Sequence, residues 1–209
     1  MDYTRLSDAN VITEKYMDSL LIEERLIDSV VADISTEFLG EKFDMPVMTP
    51  AFSHLQNYNG REHNGLEEYS MAAKECNILN FCGMMENEQF KKLVDTGAKT
   101  IIVSHHHGRL PYAVPPMMIL PQIKEALKGR GVGIIVDCGI ASGADVFKAL
   151  ALGADAAAVG RSMLPALEKG GAEGVSDFIR KVGKELRYIM SFTGAATVKD
   201  IDGSVLHRV

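Results

Sequence analysis

G-V-G-I-I-V-D-C-G-I-A-S-G-A-D-V-F-K-A-L-A-L-G-A-D-A-A-A-V-G-R, residues 131–161, decides the fold. Its first stretch, 131–137, carries no charge before Asp137, as a strand covered on both faces requires. Residues 143–152 space their apolar side chains as a helix does and stop at Gly153. Residues 154–160 make a second strand whose only charged residue is Asp155. Strand, helix and strand in this order predict parallel strands joined by a right-handed crossover.

The rhythm continues outward. T-I-I-V, residues 100–103, predicts a strand with S-H-H-H-G-R at its C-terminal end. A helix is expected over 119–127, after the proline-rich L-P-Y-A-V-P-P, and two more near 162–168 and 173–190. M-P-V-M-T-P-A, residues 45–51, suits a short buried strand, and the polar run 56–65 a loop. Residues 66–76 suit a helix, 77–83 a strand, and 87–95 a helix with Gly97 just past its end. Residues 1–35 suggest helix, because Leu21, Ile22, Leu26, Ile27, Val30 and Val31 fall in pairs about four apart. The expected fold class is therefore α/β, with an N-terminal helical segment over 1–40 and a parallel-sheet domain over 41–209.

Composition narrows the partners. The chain has 209 residues, 46% hydrophobic, enough for one sizeable core. A formal charge of -6 argues against nucleic acid. Cys76, Cys82 and Cys138 form no C-x-x-C, which fits a reducing cytoplasm better than a disulfide framework. The start shows no signal-peptide pattern, and no apolar run is long enough for a membrane span.

In parallel α/β folds, function gathers at the C-terminal ends of strands. Here those ends are Thr49, Pro50 and Ala51; Ser104 with the histidines; Asp137 to Gly139; and Gly160 with Arg161. Three adjacent histidines do not converge on one point as zinc ligands must, so no metal site is expected. One imidazole suffices for a general base, and Arg109 can hold a carboxylate through two hydrogen bonds. The bland alternative is a solvated loop whose histidines do no chemistry. Gly139 and Gly143 permit tight turns, Ser142 can cap the next helix, and open N–H groups there would attract phosphate. Gly160 lets the backbone approach a ligand and Arg161 can pair with phosphate. Equally, these glycines could be plain turn residues. G-R-G-V-G, residues 129–133, precedes a strand, so it is not the dinucleotide fingerprint.

With these residues in view, the chain resembles the FMN-dependent α-hydroxy-acid dehydrogenase and oxidase family. The resemblance rests on G-A-K-T-I-I-V-S-H-H-H-G-R, on residues 136–161 and on G-K-E-L-R-Y-I-M, with E-R-L-I-D-S-V and M-P-V-M-T-P-A matching the N-terminal portion. It implies a TIM barrel, FMN as cofactor and a small 2-hydroxy or 2-oxo acid as substrate. His106 falls on the family's catalytic base and Arg109 on its substrate arginine. Pro50, Ala51, Ser104, Asp137, Gly139, Ser142, Gly143, Gly160 and Arg161 fall along the flavin site.

The departures are specific. His105 and His107 replace the asparagine and first glycine of S-N-H-G-G-R, Cys138 and Ala141 replace a glycine and the arginine of D-G-G-I-R, and Tyr112 stands at an acidic position. A TIM barrel usually takes about 250 residues. About three βα units have no counterpart, and N-F-C-G-M, residues 80–84, could be strand two or strand five. The expectation is thus an incomplete TIM-barrel-like sheet, completed by a homo-oligomeric partner. The activity is either FMN-dependent oxidation or noncatalytic binding of FMN or another phosphate ligand. A purely structural or regulatory oligomer is the third reading.

Overall fold

The computed structural model describes residues 7–25, 27–52, 55, 60–81, 100–106, 108, 110–129 and 131–209. Arg109, His107, His54, Cys82, the helix expected over 87–95 and the cap at Gly97 lie outside these residues.

Four parallel strands make the central sheet: β4 (Val47–Met48), β5 (Thr100–Val103), β6 (Gly133–Val136) and β7 (Ala156–Ala158). Their order is β4-β7-β6-β5. The register runs Ile102↔Ile135, Val136↔Ala157 and Met48↔Ala158. Met48 also bridges Leu79 in parallel, and the Thr49 amide donates to the Leu79 carbonyl at 3.1 Å. The segment around Leu79 therefore lies beside β4, on the side away from β7. That is the place of a second barrel strand, not a fifth.

Alternation across the strands builds two apolar layers. Val47, Ile134, Val136 and Ala157 belong to the large buried core, with Tyr69, Phe147, Leu167, Ile179 and Leu186. This side is covered by α2 (Gly65–Glu75), α3 (Pro116–Ala126), α4 (Gly143–Ala151) and α5 (Leu164–Thr193). Met48, Ile135, Ala156 and Ala158 form a smaller core on the other side with Phe38. Phe38 comes from the antiparallel hairpin of β2 (Thr36–Phe38) and β3 (Glu41–Phe43). Its ring lies where a Cβ on Gly133 would be, 2.8 Å away, so the hairpin stoppers the N-terminal end of this inner face.

Short local reasons fix the helices. Asn64 and Glu67 form a reciprocal capping box at the start of α2. Ser142 Oγ accepts from the Asp145 amide at the start of α4. The two helices expected near 162–168 and 173–190 meet at Gly171, whose non-helical φ 56° and ψ -141° kink the run of α5. It ends at Gly194 in the left-handed region, φ 80°.

Among the described residues, the helix expected through residues 21–31 is not formed. After α1 (Ala9–Asp18) the chain enters β1 (Leu20–Ile22), antiparallel to β8 (Leu206–Arg208), and then runs irregularly. Tertiary hydrogen bonds outweigh local periodicity. Arg25, Val30 and Asp33 donate their amides to the carbonyls of Phe192, Ser191 and Ala196 near the end of α5. Ile27 and Val31 bury nothing, being 100% and 96% exposed. His207 lies in β8 and pairs with Glu23 at 2.6 Å.

Candidate functional site

All four strands point their C-terminal ends to one side, bringing together Thr49 to Ala51, Ser104 to His106, Asp137 to Gly139, and Gly160 with Arg161. Buried Thr49 donates to Asn80 Oδ1 and accepts the Phe81 amide, both at 2.7 Å. Tyr69 donates its hydroxyl to the Phe81 carbonyl at 2.9 Å, with the Pro50 carbonyl at 3.3 Å. These bonds lock the Pro50 loop to the Leu79 segment.

The loops after β6 and β7 are tied by Ser162, whose hydroxyl donates to the Ile140 carbonyl at 2.7 Å. Among the described residues, a Cβ on Gly160 would meet only Pro50 Cβ, 4.0 Å away. Among those residues the backbone at the end of β7 is open on the side of Pro50. Arg161 Nη2 donates to Asn10 Oδ1 at 2.8 Å.

The expected opening at the α4 N-terminus is corrected. The Gly143 amide donates to Glu185 at 3.0 Å, and the Ala141 amide to Asp145 at 3.1 Å. A Cβ on Gly143 would sit 2.3 Å from the Leu186 nitrogen. Gly143 is there because α4 and α5 approach backbone to backbone, and Ser142 bonds Asp145. Two carboxylates already occupy the helix start, where its dipole favours negative charge.

Cys138 occupies a left-handed conformation, φ 69°. Only glycine adopts this region freely, which is why the family pattern has glycine here. The thiol donates to Asp137 Oδ1 at 3.0 Å and lies 3.5 Å from Ser104 Oγ. Burial first, and the neighbouring Asp137 charge second, push its pKa up, so the sulfur stays protonated at neutral pH.

In the histidine loop, the exposed His106 has φ 48° and donates its amide to Ser104 Oγ at 3.0 Å. His105 turns inward. Its Nδ1 accepts the Gly108 amide at 3.0 Å, and its Nε2 lies 2.9 Å from Thr13 Oγ1. Tyr112, φ 60°, donates its amide to the Ser7 carbonyl at 2.9 Å. Thus α1 reaches three of the four strand-end loops. Met17 Sδ and Thr13 Cγ2 lie 2.7 and 3.2 Å from where a Gly139 Cβ would be. Sequence reading gave no role to Thr13, Asn10 or His105, and no spacing signal links residues so far apart in the chain. Among the described residues no group of histidine, cysteine, aspartate and glutamate could hold a metal ion, and no helix is long and apolar enough to cross a membrane.

A parallel sheet with helices on one face, a stoppered inner face and its polar loops at the strand ends defines an incomplete TIM-barrel-like α/β protein. The FMN-dependent dehydrogenase family matches residues 81–208, and the chain belongs to that family. An L-lactate oxidase of Lactobacillus jensenii is 31% identical over 197 residues, 88% of this chain and 48% of that protein. An L-lactate dehydrogenase of Acinetobacter baylyi is 42% identical over 125 residues, 59% of this chain and 32% of that protein. The chain thus spans about half the length, or less, of these curated relatives. A mandelate oxidase variant with benzoyl-formic acid has the same fold at TM-score 0.78 and 19% identity, over 97% of this chain and 92% of that one.

Proposed function

We propose that the chain is an FMN-dependent oxidoreductase acting on a small 2-hydroxy acid. The observation that carries this reading is the Gly160 backbone at the end of β7, which among the described residues faces only Pro50 and is followed in the chain by Arg161. A phosphate fits that place: glycine allows close approach and a guanidinium supplies paired donors. FMN would be held by Gly160 and Arg161 at its phosphate and by Pro50, Ala51, Ser104, Asp137 and Gly139 along the strand ends. Ser142 and Gly143 act indirectly, by holding α4 in place. When bound, FMN supplies the acceptor for two electrons and the α-hydrogen. His106 takes the hydroxyl proton, and Arg109 holds the carboxylate. L-lactate, in the names of the relatives above, and related 2-hydroxy acids are the substrates to try first.

Anaerobic addition of 2-hydroxy acids to the FMN-loaded protein should bleach its visible absorbance, and His106→Ala should slow bleaching about 100-fold or more. Loaded protein that stays yellow with every acid would refute the catalytic assignment. It would favour the second reading, a noncatalytic binder of FMN or another phosphate ligand. Cys138 in place of glycine and the closed α4 start are the features that favour that reading.

The same proposal includes a second copy of the chain. Among the described residues β5 pairs with β6 on one side only, and Ile102, facing the inner side with Ile135, is 40% exposed. An uncovered strand edge recruits another chain. A reducing cytoplasm is the proposed setting. Sedimentation at micromolar concentration should give a dimer or larger; a compact monomer would contradict sheet completion between copies.

A further inference from the structure

We infer that Thr13 of α1 is a positioning residue of this site, acting through His105, whose ring staples the loop that carries His106 and Arg109. The inference rests on the proposed function for what the loop does, but on contacts alone for how it is held.

Among the described residues of the loop, His106 at φ 48° and Gly108 at φ 74° depart from regular backbone. Such conformations persist where surrounding bonds over-determine them. The Gly108 amide turns back onto His105, toward both its carbonyl at 3.1 Å and its Nδ1 at 3.0 Å. An imidazole nitrogen that accepts an amide proton carries no proton itself. The neutral ring therefore holds its hydrogen on Nε2, and Nε2–H donates to Thr13 Oγ1 at 2.9 Å. Thr13 is 1% exposed, so water does not replace it readily.

The consequence is a division of labour among neighbours. His105 cannot be the general base in this geometry, because its accepting nitrogen is engaged by Gly108. His106, one residue on, has its ring outside that staple. α1 also holds Arg161 through Asn10, and Asn10 Nδ2 lies 3.0 Å from where a Gly108 Cβ would be. One helix therefore sets the spacing between the loop proposed for the substrate and the arginine proposed for the phosphate.

Ring and amide NMR on the full chain tests this. The wild type should show His105 as the Nε2–H tautomer with a slowly exchanging ring proton, and a protected Gly108 amide. Thr13→Val should lose the ring resonance and speed Gly108 exchange roughly tenfold, with the Ile135 amide in β6 unchanged, and Thr13→Ser should restore both. In protein that binds FMN, Thr13→Val should lower kcat for the 2-hydroxy acid with little change in FMN affinity. An Nδ1–H tautomer in the wild type would overturn the staple even if no variant folded. So would Thr13→Val with unaltered ring and Gly108 signals. Failure of the wild type to bind FMN would instead overturn the proposed function, while the ring and amide signals still report on the staple.

Discussion

The two faces of the sheet differ in how completely they are covered. On the outer face, four helices close over one continuous core in which Phe147, Ile134, Leu167, Ile179 and Leu186 are at most 1% exposed. On the inner face, Ala156, Ala158, Met48 and Ile135 meet Phe38, with the partly buried Phe43, Leu79 and Phe81 packed against them, and Ile102 is left 40% exposed. Apolar burial contributes in proportion to area, so the outer layer supplies most of the stability. The inner face keeps the shape of a barrel wall without the whole barrel.

Substitutions can break this contrast, the largest effect first. Phe147→Ala should cost about 3–5 kcal/mol of unfolding free energy in a denaturant titration, because the outer core cannot collapse into the space left. Gly133→Val should cost about 1–3 kcal/mol by driving Phe38 off the inner face. An equal loss in both would erase the distinction between the layers. Cys138→Gly should raise stability by about 1 kcal/mol, since glycine relieves the left-handed backbone. Ile102→Ser should change monomer stability by less than about 0.5 kcal/mol but weaken self-association. Alkylation of Cys138, followed on its own peptide, should have its pH midpoint above the ordinary thiol range. Burial and Asp137 favour the protonated form, so reactivity rises only at alkaline pH. A midpoint at or below that range would mean the loop is open to water.

Much of the fold was legible in sequence where strand and helix periods are clean. Residues 131–161 show it best: β6, α4 and β7 lie within the stretches their hydrophobic spacing marked. The resemblance marked Cys138 as standing in for a glycine, and the structure shows it at φ 69°. Residues 20–31 misled, because apolar pairs imitate a helix face while the amides go to carbonyls near α5. The α4 start misled for a related reason. Open amides are a local inference, and the carboxylate that closes Gly143 comes from Glu185 on another helix. The Thr13–His105 contact was invisible to spacing, since nothing in either neighbourhood names the other.

The most direct test of the central claim is a fluorescence titration of FMN with purified wild type and Arg161→Ala, run in parallel. The account predicts saturable, near-stoichiometric binding by the wild type at micromolar FMN and at least about tenfold weaker binding by the variant, one charge-assisted phosphate contact being lost. No binding by the wild type at tens of micromolar FMN, or equal affinity in the two proteins, would contradict it.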